Sequence, residues 1–260
     1  MTHTFAICAY KESEYLEECI QSLKNQTTGS AIILATSTPN DYIEGLAGKY
    51  DIPLYVNEGE GGITQDWNFA LSKVQTPYAT IAHQDDTYEP DYAARILARM
   101  DKAGHPLIAF SDYFELREGR QVHDTTMLKI KRIMLLPLRI RAFSGSRFIR
   151  RRVLSLGDPI CCPAVTFHLD ALERPIFQHG FRSCEDWEAW EKISRMKGEF
   201  LYEPVPLMSH RIHQDSATTA IIQDHARVDE NYVMFCKFWP RWIAGIINRF
   251  YTKSEKSNEI

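Results

Sequence analysis

The sequence predicts an α/β protein in which a mixed, mainly parallel sheet is flanked by helices and followed by a C-terminal helical extension. Over the first hundred residues, short apolar runs alternate with segments whose apolar residues follow helical spacing. This alternation is typical of βαβ units. Polar, turn-forming residues follow each apolar run, so ligands are expected at the carboxyl ends of the strands. A length of 260 residues suits one domain with an elaborated half.

The elements of the first half are predicted in order from local patterns. Apolar runs predict strands at 4–9, 31–35, 52–56 and 78–82. Ser13 is a candidate N-cap for the first helix, and Pro90 suits the first turn of the third. The predicted helical faces are Leu16, Cys19, Ile20 and Leu23; Trp67, Ala70, Leu71 and Val74; and Ala93, Ile96, Leu97 and Met100.

The second half is less regular. Strands are predicted at 107–116 and 200–205, and a helix at 184–197, ended by Gly198. The segment 117–160 is predicted to be loop with a short helix. Within 232–251 the polar residues follow approximately helical spacing, and Pro240 is expected to kink this helix or to start a second one.

The composition argues against several classes of protein. A formal net charge of -4 is wrong for a protein that coats nucleic acid. The six cysteines have no CxxC spacing, which predicts buried reduced thiols rather than a zinc or disulfide framework. The N-terminal residues do not form a secretory signal, and no stretch reaches the roughly 18 apolar residues of a membrane span. We therefore expect a cytoplasmic protein.

The turn His83-Gln84-Asp85-Asp86 is the main candidate for chemistry. It places consecutive carboxylates at the end of a buried strand, which is costly unless a cation neutralises them. A divalent metal that also binds a diphosphate would do so, since hard cations prefer oxygen ligands. The alternative is a solvated turn whose aspartates cap the helix after Pro90.

Four segments, in this order, resemble family 2 glycosyltransferases of the GT-A fold. Ala6 to Glu12 is similar to the family's first strand and its Pro-Thr-Tyr-Asn-Glu turn, and Gly62 to Asn68 to its glycine-led helix start. Tyr78 to Asp86 resembles the strand that ends in the Asp-x-Asp metal motif. Glu185-Asp186-Trp187 resembles the pair that carries the catalytic base. The resemblance extends from Phe5 to about Ser216 and implies an inverting enzyme of the kind that builds bacterial cell-surface polysaccharides.

The resemblance also implies a division of the chain. Residues 1–220 would form the glycosyltransferase domain, with a nucleotide-sugar half at 1–115 and an acceptor half at 116–220. Residues 221–260 would be an amphipathic helical extension. The donor would be a nucleotide diphosphate sugar, with UDP preferred, and the acceptor a glycan or a lipid-linked molecule.

Roles for individual residues follow from the same resemblance. The nucleotide would be contacted by Tyr10, Glu12, Thr36, Ser37 and Gly62. Asp85 would ligate Mn²⁺ or Mg²⁺, with Asp86 orienting the metal or the sugar. Asp186, with Glu185 beside it, would deprotonate the acceptor hydroxyl, helped by the dipole of a helix that begins there. In His210-Arg211-Ile212-His213, Arg211 suits a phosphate, and His213 is preferred to His210 as a metal ligand or diphosphate donor.

Three positions depart from the family pattern. His83 stands where the family has its first metal-motif aspartate, so the site carries one negative charge fewer. If His83 binds the cation, Mn²⁺ should be favoured over Mg²⁺, because imidazole is the softer ligand. Thr36-Ser37 replace the acidic turn that commonly reads uracil, and Trp67 replaces a common arginine.

Two segments predict contact with an anionic membrane surface. Residues 129–152 hold nine lysines and arginines, no acid, and interleaved apolar side chains. Residues 232–251 are rich in Phe, Trp and Ile. Such interleaving suits anionic lipid, and the first segment also suits a phosphorylated or lipid-linked acceptor. The alternatives are a solvated loop and a helix packed on the domain. With contact, the enzyme would sit on the inner face of the membrane.

Two other functions stay open from the sequence. A nucleotidyltransferase shares the parallel sheet and the acidic metal site, although Tyr10-Lys11-Glu12-Ser13 is a poor version of its glycine-rich basic loop. The other is a non-catalytic nucleotide-sugar or carbohydrate-binding protein, in which His83 would indicate a catalytic site that has been lost. The order of Asp85, Asp86, Glu185, Asp186 and His213 counts against decay.

Overall fold

The computed structural model describes residues 1–213 and 226–256. In chain order, the first half contains β1 (His3–Ala9), α1 (Leu16–Lys24), β2 (Ala31–Thr36), α2 (Asp41–Lys49), β3 (Leu54–Val56), α3 (Ile63–Lys73), β4 (Tyr78–His83), β5 (Thr87–Tyr88) and α4 (Tyr92–Asp101). The second half contains β6 (Pro106–Arg117), β7 (Arg120–Val122), α5 (Thr126–Leu135), α6 (Arg147–Leu154), β8 (Val165–His168), α7 (Glu185–Ser194), β9 (Glu199–Ile212), α8 (Ala226–Cys236) and α9 (Arg241–Lys256).

The nine strands of the described residues belong to a single sheet. Its order is β3-β2-β1-β4-β8-β6-β9-β5, with β7 paired to the end of β6. β1 pairs in parallel with both β2 and β4, and β6 pairs in parallel with β9. β8 is antiparallel to β4 and β6, and β5 is antiparallel to β9. The predicted fold class, a mixed and mainly parallel sheet flanked by helices, is therefore confirmed.

Two apolar cores cover the two faces of the sheet. One packs α1, α2 and α4 against it, around Phe5, Ile7 and Tyr92. The other contains Phe167, Trp187 and Trp190. Met234 and Phe235 of α8 and Ala244 of α9 are buried in this second core. The inner faces of the C-terminal helices therefore pack on the sheet domain.

The predicted elements of the first half are confirmed within a few residues. The helical faces are buried as predicted, although α1 begins at Leu16 and its N-cap position is Tyr15 rather than Ser13. Pro240 lies between α8 and α9, so it starts a second helix. The strand predicted at 200–205 was too short, since β9 runs from Glu199 to Ile212. No helix among the described residues is long and apolar enough to cross a membrane.

Candidate active site

The carboxyl ends of three neighbouring strands open one crevice. β1, β2 and β4 lie side by side, with Ala9 in register with Thr36 and Cys8 in register with His83. The residues that follow these strand ends therefore meet at one edge of the sheet, as parallel strands require. Tyr10 is exposed there and Thr36 is buried.

Gln84 joins the ends of β1 and β4. Its side-chain oxygen accepts from the backbone N–H of Tyr10 at 2.9 Å, and its side-chain nitrogen donates to the Tyr10 carbonyl at 3.0 Å. Lys11 adopts a left-handed φ of 54° and donates its N–H to the Thr38 hydroxyl at 2.6 Å. This backbone conformation is uncommon for a residue with a side chain. The turn after β1 is thus fixed by polar groups of the strands beside it, and it leaves Glu12 exposed.

Asp66 fastens the ends of β2 and β3 to the start of α3. Its carboxylate accepts from the Ser37 hydroxyl at 2.8 Å, from the Asn57 side chain at 2.8 Å and from the Gly62 N–H at 3.3 Å. Gly62 has a φ of 148°, a conformation that favours glycine. The sequence did not single out Asp66. Its carboxylate lies beside the Thr36-Ser37 turn, which replaces the acidic turn of the family pattern.

Asp86 is the most enclosed member of the acidic turn, with 0% of its surface exposed. It accepts from the Arg211 N–H at 2.9 Å and lies 3.1 Å from Nδ1 of His210. Burial opposes a charge on His210, but the Asp86 carboxylate outweighs it and raises the pKa of this imidazole. The end of β9 therefore supplies the hydrogen bonds that a buried carboxylate needs.

Asp85 points toward the other histidine of β9. Its Oδ2 lies 2.9 Å from Nε2 of His213. Burial would raise the pKa of Asp85, but His83, His213 and His210 together lower it, so the carboxylate is ionised. The Asp85 carbonyl accepts from Nε of Arg211 at 2.8 Å. Both histidines that the sequence weighed against each other thus contact the acidic turn, one on each aspartate.

The Arg211 guanidinium faces α1. It donates to the Glu18 carboxylate at 2.5 Å and lies over the Tyr15 ring at 4.2 Å. The Glu18 side chain is largely exposed, whereas that of Arg211 is mostly covered. Arg211 therefore stands at the edge of the crevice with an acidic partner already in place.

His83 is held by stacking and keeps one nitrogen without a partner. Its ring lies on that of Trp67, with centroids 5.2 Å apart and planes 17° apart. Nε2 is buried and has no hydrogen-bond partner among the described residues. Burial lowers the pKa of His83 despite the nearby aspartates, so the imidazole is neutral and has a lone pair to offer.

The donor set at this turn fits a divalent cation. One side-chain ligand atom from each of His83, Asp85 and Asp86 lies within 4.8 Å of the others. The neutral imidazole of His83, whose Nδ1 lies 3.8 Å from Asp86 Oδ2, joins two carboxylates in a donor set that suits Mn²⁺ better than Mg²⁺. His213 contacts Asp85 at 2.9 Å but is not one of these three closely grouped ligand atoms.

The first turn of α7 supplies a second group of acids. Glu185 is buried, and burial raises its pKa from 4.5 to about 7. Asp186 bonds the N–H of Trp187 at 2.8 Å and is hydrogen-bonded to the side chain of Asp158. Burial, and then the charge of Asp186, raise the pKa of Asp158 well above its usual range, so Asp158 carries the proton of this pair.

Electrostatics connect the acids of α7 with the acidic turn. Burial raises the pKa of Cys161, and the charges of Asp86, Asp186 and Asp158 raise it further, while Lys131 opposes them. Asp186 also acts on the pKa of His83. Lys131 donates to the Tyr113 hydroxyl at 3.1 Å. Asp86 and Asp186, one from each group of acids, are therefore both close enough to Cys161 to act on its pKa, as is Lys131.

The structure brings most of the predicted site residues together. The strand ends carry Tyr10, Thr36, Ser37 and His83, the acidic turn meets Arg211 and His213, and Asp186 faces it from α7. Sequence reasoning missed Asp66, Gln84, Asp158 and Lys131. Gln84 lies inside the quoted motif and could have been found there, whereas Asp158 and Lys131 carry no local signal.

Known proteins resemble this chain in sequence and in fold. Residues 4–168 match the family described as Glycosyl transferase family 2. A protein from Haemophilus influenzae described as an uncharacterized glycosyltransferase is 22% identical over 237 residues, which cover 82% of this chain and 66% of that relative's length.

Two solved structures share the fold. TarS 1–349 from S. aureus, in complex with UDP-GlcNAc, superposes with a TM-score of 0.64 at 14% identity, over 95% of this chain and 70% of that one. Mannosyltransferase PcManGT from Pyrobaculum calidifontis, in complex with GDP-Man and Mn²⁺, gives a TM-score of 0.64 at 15% identity, over 91% and 63% of the two chains.

Proposed function

The chain belongs to glycosyl transferase family 2, and from this membership we propose an inverting, metal-dependent glycosyltransferase. It would move a sugar from a nucleotide diphosphate donor to a glycan or a lipid-linked acceptor. The observation that carries the proposal is that Asp186, at the start of α7, lies close enough to the acidic turn to act on the pKa of His83. A transferase needs an acceptor base and a diphosphate site on opposite sides of one sugar.

We assign the nucleotide to the strand-end side of the crevice. Tyr10 offers an exposed ring, Glu12 an exposed carboxylate, and Thr36, Ser37 and Gly62 line the turns that Asp66 holds together. The UDP-GlcNAc and GDP-Man complexes of the two structural neighbours show that this fold accepts either base. We propose UDP, with a hexosyl or N-acetylhexosaminyl group as the sugar.

The divalent cation would be held by Asp85 and His83, with His213 as a further ligand. The cation would neutralise the diphosphate and so make it a better leaving group. Asp86 is enclosed by Arg211 and His210, so its role is to hold the turn in place. The neutral imidazole of His83 favours Mn²⁺ over Mg²⁺.

Asp186 is the group we assign as general base. Its carboxylate takes the proton from the acceptor hydroxyl, and the acceptor oxygen forms a bond to the anomeric carbon. The bond from that carbon to the diphosphate oxygen breaks on the opposite face, which inverts the centre. Glu185 is buried and about half protonated near neutral pH, so it suits a structural role better. Asp158 keeps its own proton and orients Asp186 through a hydrogen bond.

Arg211 could exchange its present anionic partner for the diphosphate. Its guanidinium is bound to the largely exposed Glu18 carboxylate. A phosphate presents the same anionic oxygens to the same donors. We therefore propose that the diphosphate displaces Glu18 from Arg211 when the donor binds.

Nucleotide release from a panel of UDP-sugars with Mn²⁺ tests the proposal. Asp186→Asn should reduce kcat by 10²- to 10⁴-fold, roughly the value of a general base, while donor binding is kept. Asp85→Asn should weaken the binding of Mn²⁺ as measured by calorimetry. Asp101→Asn, at the end of α4 and far from the crevice, is the matched control.

The same experiment separates the alternatives. Release of pyrophosphate from a nucleoside triphosphate and a sugar phosphate would indicate a nucleotidyltransferase. Tight donor binding with no turnover, with or without acceptors, would indicate a binding protein. Wild-type turnover by Asp186→Asn would refute the assignment of the base.

A further inference from the structure

The exposed apolar side chains are concentrated in two stretches of the chain. Of the fifteen large hydrophobic residues that are exposed in the described residues, eleven lie between 130 and 156 or between 233 and 250. Scattered single exposures need no explanation, but a concentration of this kind marks an interaction surface. The eleven are Ile130, Ile133, Leu136, Ile140, Phe143, Phe148 and Leu156 in the first stretch, and Val233, Trp242, Ile246 and Phe250 in the second.

The two stretches adjoin at α6. The Arg152 guanidinium lies 5.8 Å from the centre of the Phe148 ring and 4.6 Å from that of Trp239. Trp239 donates its indole N–H to the Ser155 carbonyl at 2.7 Å. Trp242 follows only three residues later, in the first turn of α9. The exposed rings of Phe148 and Trp242 thus belong to one surface, which we call the aromatic-basic face.

Exposed cations accompany these apolar side chains without any acid in the same stretches. Residues 125–157 and 231–254 contain no aspartate or glutamate. Lys129, Arg147, Arg241 and Arg249 are exposed, and they are interleaved with the apolar residues. A surface that combines aromatic rings with unopposed positive charge matches the headgroup region of an anionic bilayer.

Part of the basic set identified in the sequence does not belong to this face. Arg150 is buried and bonds carbonyls at the end of α7, Arg132 bonds Asp112, and Arg151 bonds Glu191. Lys131 is turned toward the crevice. The charge available to a membrane is therefore smaller than the nine cations of 129–152 suggest.

Helix α5 places this face next to the crevice. It presents Lys131 to Tyr113 on one side and leaves Ile130 and Ile133 exposed on the other. We propose that the aromatic-basic face docks on an anionic lipid bilayer, so that the acceptor side of the crevice opens at the membrane surface. That the crevice has an acceptor side rests on the proposed function, whereas the docking itself does not.

Flotation of the full-length protein with lipid vesicles tests the docking directly. The protein should float with vesicles that contain phosphatidylglycerol and stay at the bottom with phosphatidylcholine alone, and added salt should weaken the binding. Phe148→Ser with Trp242→Ser should reduce partitioning by about tenfold or more, because both rings would leave the bilayer. Lys129→Gln should reduce it by about fivefold.

Matched controls separate this surface from a general effect of charge or hydrophobicity. Val205→Ser removes an exposed apolar side chain outside the two stretches, and Lys24→Gln removes an exposed cation at the end of α1. Both should float as the wild type does. Phe148 and Trp242 are each 70% exposed, so the double variant should keep its melting temperature and its release of nucleotide from the donor.

Two outcomes would overturn the proposal. One is no flotation with either vesicle at low salt. The other is equal flotation of the double variant and the wild type, and a change of molar mass in the double variant by light scattering would then assign the face to contact between copies of the chain. Donor turnover that fails while flotation persists would refute the proposed function and leave the docking intact.

Discussion

Replacement of Glu185 by glutamine should stabilise the protein, and more so as the pH rises. Glu185 is 6% exposed at the start of α7, and burial raises its pKa from 4.5 to about 7. The folded chain therefore holds a proton that the unfolded chain has released between these two values. The stability that this proton contributes is fully present below about pH 4.5 and is lost as the pH rises through about 7.

The size of the effect follows from the shift of the pKa. A shift from 4.5 to about 7 corresponds to about 3 kcal/mol once both states are ionised. Between about pH 5 and pH 8.5, the unfolding free energy of Glu185→Gln relative to wild type should therefore rise by about 2 to 3 kcal/mol. Urea unfolding of both proteins at the two pH values measures this difference. Subtracting the wild-type value at each pH cancels the contributions of the other titrating groups.

Glu188 on the same helix provides the matched control. It is equally buried, but it pairs with Lys237 at 2.9 Å. Glu188→Gln should lower the unfolding free energy by about 1 to 3 kcal/mol, because it leaves Lys237 without its partner. A difference between Glu185→Gln and wild type that stays constant with pH would refute the view that Glu185 is buried as the acid.

Substitutions at Asp158, Gly198 and Arg150 test other contacts. Asp158→Asn keeps a hydrogen-bond donor for Asp186 and should change kcat by less than about threefold. Asp158→Ala removes that donor and should lower kcat about tenfold or more, with the KM for the donor sugar unchanged. Equal losses of kcat in the two variants would contradict the positioning role of Asp158. Gly198→Ala should lower the unfolding free energy measured in urea by about 3 kcal/mol, since φ is 145° and a Cβ would lie 2.8 Å from the His105 carbonyl oxygen. Gly29→Ala, which has open space around it, should leave the unfolding free energy unchanged. Arg150→Met should cost about 3 kcal/mol or more, because it strands carbonyls at the end of α7, and a neutral result would show that water replaces the guanidinium.

The first half of the fold could be predicted because its strands are continuous apolar runs. A parallel strand covered on both faces has that pattern, and the helices between carry one apolar face. The second half could not be predicted as well. β9 contains Pro204 and Pro206, and its pairing with β6 shifts register between Ser111 and Phe114. Prolines interrupt the strand pattern, so the prediction stopped at residue 205.

The turn at the end of β4 could be predicted because its residues are neighbours in sequence. The partners of that turn are not. Lys131 and Asp158 come from segments that the sequence leaves irregular, and the hydrogen bond from Asp158 to Asp186 has no local pattern behind it. His210 and His213 both contact the turn, and the preference for His213 as a metal ligand or diphosphate donor stays a prediction. Arg150 looked like surface charge, but the guanidinium is buried because the carbonyls at the end of α7 need donors.

The closure of Asp86 by β9 has a consequence for when a newly made chain can become active. The Arg211 N–H and the carboxylate that it caps are 125 residues apart, and His213 reaches Asp85 across a similar span. A ribosome releases the strands β1 to β4 long before β9. The nucleotide side can therefore assemble while synthesis continues, but the acidic turn is completed only when the last strand of the sheet has emerged. A chain that stops before residue 199 would lack the groups of β9 that bond the Asp86 carboxylate. We expect such a chain to fail to fold rather than to fold into an enzyme with altered activity.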